Sequence, residues 1–231
     1  MAERGTGGRA RPPKALLSWS SGKDGAFALH ALRGSAVCEV VGLLTTVTRS
    51  SGRISMHGVR EELLERQRAA LGLPLTKVEL PFPCSNAEYE RAMAAALGPA
   101  RRDGIRTVVF GDLFLEDIRA YRESRLQAAG MTGLFPLWGR DTAALARDMI
   151  RSGLRARLCC LDPHRLDPKF AGRAFDREFL AALPASVDPC GERGEFHTFV
   201  TDLPEFRAPV EVRVGSTRSQ DGFLYTDLRA A

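Results

Sequence analysis

Apolar positions fall into two rhythms along the first half of the chain. Ala15-Leu16-Leu17-Ser18-Trp19 is a short apolar run of strand length, and Ala26 to Leu32 follows as a helix ending near Gly34. Glu39 to Leu44 reads as a second strand, and Val59 to Leu71 as an amphipathic helix stopped by Gly72 and Pro74. Val78-Glu79-Leu80 is a third strand. Ser85 and Glu88 have the spacing of a capping box before a helix over 87–101, whose Tyr89, Met93, Leu97 and Ala100 share one face. Thr107 to Phe110 is a further strand that runs into Gly111-Asp112.

Strands that alternate with helices imply a parallel sheet covered on both faces. After Pro136 the pattern changes. Asp141 is placed to cap a helix carrying Leu145, Ala146, Met149 and Ile150, and Ala156 to Leu161 reads as a strand. A short helix is expected over 176–183. Strands are expected over 195–201, 210–214 and 223–225, the last pair joined through Gln220-Asp221-Gly222. The expected fold class is therefore α/β, a Rossmann-like parallel sheet with a smaller C-terminal α+β domain. The expected divisions are a tail at 1–13, a nucleotide domain at 14–135 and a C-terminal substrate domain at 136–231. The tail is read as flexible from its Gly, Arg and Pro content.

Composition narrows the class without naming a chemistry. The 231 residues are 44% hydrophobic and 26% charged, with a formal net charge of +5. The basic residues are scattered arginines rather than a run interleaved with aromatics, so nucleic acid is not indicated. Cys38, Cys84, Cys159, Cys160 and Cys190 include no Cys-x-x-Cys pair, which leaves zinc and iron–sulfur sites unsupported. The odd cysteine count and the lack of a leader point to a reducing, cytoplasmic location. No run approaches the roughly 20 apolar residues of a membrane helix. A homo-oligomer is compatible with all of this.

The strongest chemical signal is Ser20-Ser21-Gly22-Lys23-Asp24-Gly25. It leaves the carboxyl end of the first strand and opens a helix, where α/β sheets bind ligands. Small residues let backbone N–H groups reach an anion, and the helix start adds unpaired donors and partial positive charge. Lys23 adds a full charge. The pattern is neither a Walker loop nor Gly-x-Gly-x-x-Gly. A plain helix-capping turn is the bland alternative, and the strand–loop–helix setting weighs against it.

This loop resembles the Ser-Gly-Gly-Lys-Asp-Ser PP-loop of N-type ATP pyrophosphatases and adenine nucleotide alpha hydrolases, with Ser21 in place of a Gly and Gly25 in place of the last Ser. Further motifs follow in order: Ser55-Met56-His57-Gly58, Gly111-Asp112, Leu115 to Arg122, Pro136 to Asp141, and Cys190 to Thr198. Together they resemble the diphthine–ammonia ligase family over about residues 15 to 205. Arg193 stands where that family usually has a smaller residue.

The resemblance implies an ATP-dependent, AMP-forming ligase. ATP with Mg2+ would adenylate a carboxylate, on a protein such as elongation factor 2, and ammonia would displace AMP. It implies a HUP-type sheet with the reactive centre between the two domains. Ser20, Ser21, Gly22, Lys23, Asp24, Gly25, Thr45 and Gly111 are the expected ATP-binding residues, with Thr45 at the adenine. Lys23, Asp112, Glu192 and Glu195 are the expected catalytic residues. Asp112 is a candidate for magnesium or ribose, and Glu192 and Glu195 for an amine nucleophile or a metal. His57, Arg119, Tyr121, Arg122, Trp138, Arg140 and Gly194 are candidates for substrate.

Each has a plainer reading. Arg119, Arg122 and Glu123 fit a solvated helix face, Trp138 a core position, His57 and His197 structural roles, and Glu192 and Glu195 an ordinary turn. Two other functions compete: a tRNA-modifying PP-loop enzyme, which usually brings paired cysteines or an RNA-binding domain, and a non-catalytic ATP or AMP sensor. Lys23→Ala is expected to abolish pyrophosphate release with the fold intact.

Overall fold

The structure, a computed structural model, describes residues 11–231. Residues 1–10 of the expected tail lie outside the described residues, and 11–13 form no regular element. In chain order the first half contains β1 (Lys14–Ser18), α1 (Lys23–Leu32), β2 (Glu39–Thr48), β3 (Arg53–Ile54), α2 (Glu61–Leu71), β4 (Leu75–Leu80), α3 (Asn86–Arg102), β5 (Thr107–Val109), α4 (Glu116–Ala128) and β6 (Thr132–Leu134). The second half adds α5 (Thr142–Arg151), β7 (Arg155–Leu161), a 3-10 turn (Pro168–Phe170), α6 (Arg177–Ala182), β8 (Phe196–Asp202), β9 (Val212–Gln220) and β10 (Phe223–Ala230).

Strands β4, β2, β1, β5 and β6 lie side by side and parallel, and β3 folds back antiparallel on the end of β2. Chain order reverses between β1 and β5. That reversal opens a crevice beyond their carboxyl ends. Period-two alternation sorts the side chains. Ala15, Leu17, Leu43, Val47 and Val109 join the cluster that holds Phe27, Leu32, Leu63 and Leu64 of α1 and α2. Leu16, Leu44, Val108 and Phe110 join the cluster with Leu97 of α3 and Leu126 of α4. The sheet is thus covered on both faces, as the alternating pattern implies.

The second sheet is antiparallel, in the order β8-β7-β10-β9. Its core is continuous with the α1–α2 side of the first sheet through Leu145, Ala146 and Met149 of α5, Phe179 of α6 and Phe199 of β8, each fully buried. The α/β class with an added C-terminal α+β layer is the architecture found.

Several local expectations hold with altered limits. The Ser85–Glu88 capping box is present and Asp141 Oδ1 accepts the Ala144 N–H. Asp221 and Gly222 both take positive φ, 50° and 83°, as a tight hairpin of that type demands. Helix α1 starts at Lys23, three residues before the apolar run that signals it. Strand β2 runs four residues past Leu44, because it pairs with β4 through Thr48. Strand β6 and helix α4 were not foreseen as separate elements. Strand β6 is three residues long, and α4 is polar, with Leu126 its one buried residue.

Candidate active site at the junction of the two sheets

The loop from Trp19 to Gly22 leaves β1 at the chain reversal and enters α1. Its shape depends on backbone freedom at one residue. Ser21 has φ 69°, a left-handed conformation costly for a residue with a Cβ. The same side chain is fully buried, and its Oγ has no hydrogen-bond partner among the described residues. Gly22 has no room for a side chain, because a Cβ there would lie 2.8 Å from His57 Cε1. From the other strand of the reversal, Gly111 presses on the same turn. A Cβ on Gly111 would lie 2.5 Å from the Asp24 carbonyl carbon and 2.6 Å from the Gly25 nitrogen.

Strand β8 of the second sheet stitches this loop in place. Val200 N–H donates to Ser21 O at 2.9 Å, and Lys23 N–H donates to Thr198 Oγ1 at 3.1 Å. Gln67 of α2 closes the arrangement. Its amide donates to Val200 O at 2.6 Å and Ser21 O at 3.3 Å, and its oxygen accepts from Trp19 Nε1 at 2.9 Å. The N–H groups of Asp24 and Gly25, in the first turn of α1, have no acceptor among the described residues and remain available.

The Lys23 side chain is 1% exposed. Its ammonium donates to both oxygens of Asp24 at 2.9 Å and to Cys190 O, and it lies over the rings of Phe175 and Phe196 at 5.6 and 5.4 Å. Burial works against its charge, but the Asp24 carboxylate outweighs that and raises its pKa. Lys23 therefore stands behind Asp24, between the loop and the second sheet.

A cavity of about 650 Å³ opens in front of the loop. Ser18, Trp19, Ser20, Asp24 and Gly25 form one wall, and Phe110, Gly111 and Asp112 face them. Leu44, Thr46, Ile54, Ser55 and Met56 line one end, and the gap between α3 and α4, with Tyr89, Met93, Tyr121, Arg122 and Arg125, lines the other. His57, Glu192 and His197 complete the rim. Of the sequence candidates, Ser20, Asp24, Gly25, His57, Gly111, Asp112, Tyr121, Arg122 and Glu192 meet in this lining.

The remaining candidates lie elsewhere. Thr45 is buried on the opposite face of β2, its hydroxyl donating to Trp19 O at 2.6 Å, so Leu44 and Thr46 line the cavity and Thr45 does not. Glu195 is 2% exposed, with Oε1 accepting Asp188 N–H and Oε2 accepting Arg193 N–H, so it shapes the turn before β8. Arg119 pairs with Glu123 and stacks on Phe135 and Trp138 at 4.9 and 4.6 Å. Arg140 pairs with Asp148 at 2.7 Å. Gly194 takes φ 85° in an open turn.

The carboxylates and imidazoles of the lining are perturbed. Burial pushes Glu192 up to about 7, against the Leu113 N–H that donates to its Oε1 at 2.7 Å. Burial also raises Asp112, opposed by Arg122 at 3.0 Å. His57 and His197 stack with centroids 4.6 Å apart. Burial lowers His57 well below its ordinary value, with His197 adding to the effect, and it takes His197 to about 4, with Lys23 adding. Both rings are neutral at pH 7.

Sequence reasoning passed over Thr46 and Gln67, and it gave His197 a structural role and Thr198 none beyond its place in the Cys190 to Thr198 motif. Gln67 carried a signal, as the lone polar residue on the apolar face with Leu63, Leu64 and Ala70. Thr46 follows Leu44 by two, which places both on one face once the strand is extended. The motif marks His197 and Thr198 without their roles, since those depend on β8 docking against α1.

Among the described residues no group of three His, Cys, Asp or Glu gathers closely enough to hold a metal ion, and no helix is long and apolar enough to cross a membrane.

Residues 141–227 match the family model described as the diphthamide synthase C-terminal domain. The chain is similar to the diphthine–ammonia ligase of Danio rerio, at 37% identity over 94 residues, covering 38% of this chain and 37% of that protein. It is similar to that of Homo sapiens at 26% over 151 residues, covering 63% and 57% respectively. For Schizosaccharomyces pombe the values are 31% over 98 residues, 39% and 16%. The chain thus spans little more than half the length of these relatives at most. The order of its motifs, the matched C-terminal domain and these relatives agree, and the chain is similar to the diphthine–ammonia ligases.

Proposed function

We propose that the protein is an ATP-dependent amide ligase of the diphthine–ammonia ligase type, cleaving ATP to AMP and pyrophosphate to adenylate a carboxylate that ammonia or an amine then attacks. The observation that carries this reading is the cavity at the sheet reversal, walled by the Ser20–Gly25 loop on one side and Gly111-Asp112 on the other. The similarity to proteins named diphthine–ammonia ligases supports it.

In this reading the free N–H groups of Asp24 and Gly25 and the hydroxyl of Ser20 hold the phosphates at the start of α1. Gly111 lets the end of β5 close on the loop without displacing it. Leu44, Thr46 and Ile54 give the base an apolar seat. Lys23 acts from behind Asp24, offsetting a buried carboxylate that would otherwise repel the triphosphate. Arg122 stands where charge develops on the departing pyrophosphate or on the acceptor carboxylate. Glu192, titrating near 7, takes the proton that the amine loses on attack. Asp112, whose Oδ2 is paired with Arg122 at 3.0 Å, is the carboxylate that would hold a magnesium ion arriving with the phosphates, which would neutralise their charge. The acceptor is read as a carboxylate on a protein such as elongation factor 2, and the division at residue 135 as a nucleotide part and a substrate part.

The test is product analysis with ATP, ammonium and diphthine-bearing elongation factor 2. AMP and pyrophosphate are expected. ADP would mean another ATPase chemistry, a requirement for tRNA would favour a tRNA-modifying enzyme, and bound but uncleaved ATP a sensor. Lys23→Met is the informative variant. It keeps most of the side-chain volume that Lys23→Ala would remove, and both variants, which leave the Asp24 carboxylate at the cavity wall without its ammonium, are expected to abolish pyrophosphate release with the chain still folded by circular dichroism.

A further inference from the structure

The His57–His197 pair has no part in the mechanism above. His57 comes from the turn between β3 and α2, and His197 from β8, so the two rings meet across the junction of the sheets. His57 Nδ1 lies 3.2 Å from Thr198 O and donates to it, because a carbonyl can only accept. That fixes the tautomer and leaves Nε2 as a bare lone pair. Neither nitrogen of His197 has a partner among the described residues. Both residues are part-buried at the cavity wall, so the free nitrogens are open to a ligand that enters the cavity.

The position of the pair says what would satisfy it. His57 Cε1 fills the space where Gly22 lacks a side chain, so the ring lies against the backbone of the loop. Both rings line the cavity with Ser20, Asp24 and Gly25. Resting on the nucleotide reading given above, we infer that His57 and His197 form a second jaw of the polyphosphate site, one ring from each domain, and that one of them takes up a proton when the phosphates enter.

The charges around the pair fit this. Lys23 and Asp24 face it from α1, and Glu192 from the turn before β8. Cys160 of β7 lies opposite His197 in the ladder, and Tyr225 of β10 packs on Gly58 beside His57. Arg53 of β3 is occupied with Gly58 O and Asp227 of β10. Lys23 and the second ring hold the pair neutral when the cavity lacks an anion. A phosphate chain reverses that balance, and an imidazolium then gives it a charge-assisted hydrogen bond.

The chain has four histidines, His30, His57, His164 and His197, so imidazole nitrogen resonances can be assigned by single substitution. The whole protein is labelled with 15N-histidine and titrated near pH 7 with ATP and, separately, with inorganic pyrophosphate. One resonance set from His57 or His197 is expected to move from the neutral to the imidazolium pattern, with His30 and His164 unchanged. His57→Asn and His197→Asn are each expected to weaken pyrophosphate binding roughly tenfold or more. Binding of both ligands with both rings still neutral and affinities unchanged in the variants would overturn the inference and leave the nucleotide reading standing. Pyrophosphate binding with the shift but no ATP binding would uphold the jaw and remove the nucleotide. Binding of neither ligand would remove both.

Discussion

At the scale of single residues, two side chains of the site are held against their own preferences. Ser21 combines a left-handed backbone with a buried hydroxyl that bonds to nothing among the described residues. Ser21→Gly removes both penalties and adds back some freedom to the unfolded chain. The expected net gain is about 1 kcal/mol, read as a rise of roughly 2–4 °C in melting temperature. A lower melting temperature would show that the hydroxyl is satisfied after all. Glu192 gives a pH dependence whose sign can be worked out. Its folded pKa, about 7, lies above the ordinary 4.5, so the folded state binds more protons between those values. Its contribution is complete below pH 4.5 and is lost as pH rises through 7. His197, lowered to about 4, acts oppositely between pH 4 and 6.5 and masks part of this in the wild type. The difference in stability between Glu192→Gln and wild type should therefore grow from pH 4.5 to 7 and level off above it. Urea denaturation across that range measures it, and a flat difference would return Glu192 to an ordinary exposed carboxylate.

At the scale of elements, the contact between β5 and α1 is the closest in the site. Gly111→Ala would press a methyl group into the backbone of Asp24 and Gly25, which cannot turn aside as a long side chain can. A loss of stability of roughly 1–3 kcal/mol is expected, with weaker ATP binding. An unchanged ATP affinity would separate this contact from the ligand. The elements themselves were largely readable in the chain. Runs such as Leu16-Leu17 and Val108-Val109, and the one-sided face of α3, announce their geometry locally because burial imposes a period of two or 3.6. Helix starts were less clear. Lys23 and Asp24 belong to α1 although both are charged, since they pair with each other at the helix start, Asp24 toward the cavity and Lys23 toward the second sheet. The expected β2 was too short for the same kind of reason. Thr45 and Thr46 look like loop in isolation and become strand only by pairing with β4. The loop residues Ser20 to Gly25 were found because their chemistry is contiguous in sequence. Gln67 was not, and the roles of His197 and Thr198 were not, because a site assembled from α2, β8 and a loop 46 residues from Gln67 leaves no trace of its geometry in local spacing.

At the scale of the whole molecule, the two sheets share one apolar core and one cavity. The two motif sets, one on each side of residue 135, meet only there. That arrangement makes the division a poor place to cut. The loop before α1 draws its shape from Val200 and Thr198, which lie more than 170 residues further along the chain. A fragment ending at residue 135 is expected to lose ATP affinity beyond detection by calorimetry while keeping helical and strand signals in circular dichroism. Restored binding on mixing with the complementary fragment would point to the stitching by β8, and undiminished binding by the first fragment alone would show that the loop forms unaided. The same stitching bears on how the protein is made. Emerging from the ribosome, the first hundred or so residues carry a bend whose backbone partners in β8 have not yet been synthesised, so the proposed competence for nucleotide would arrive late in translation and all at once.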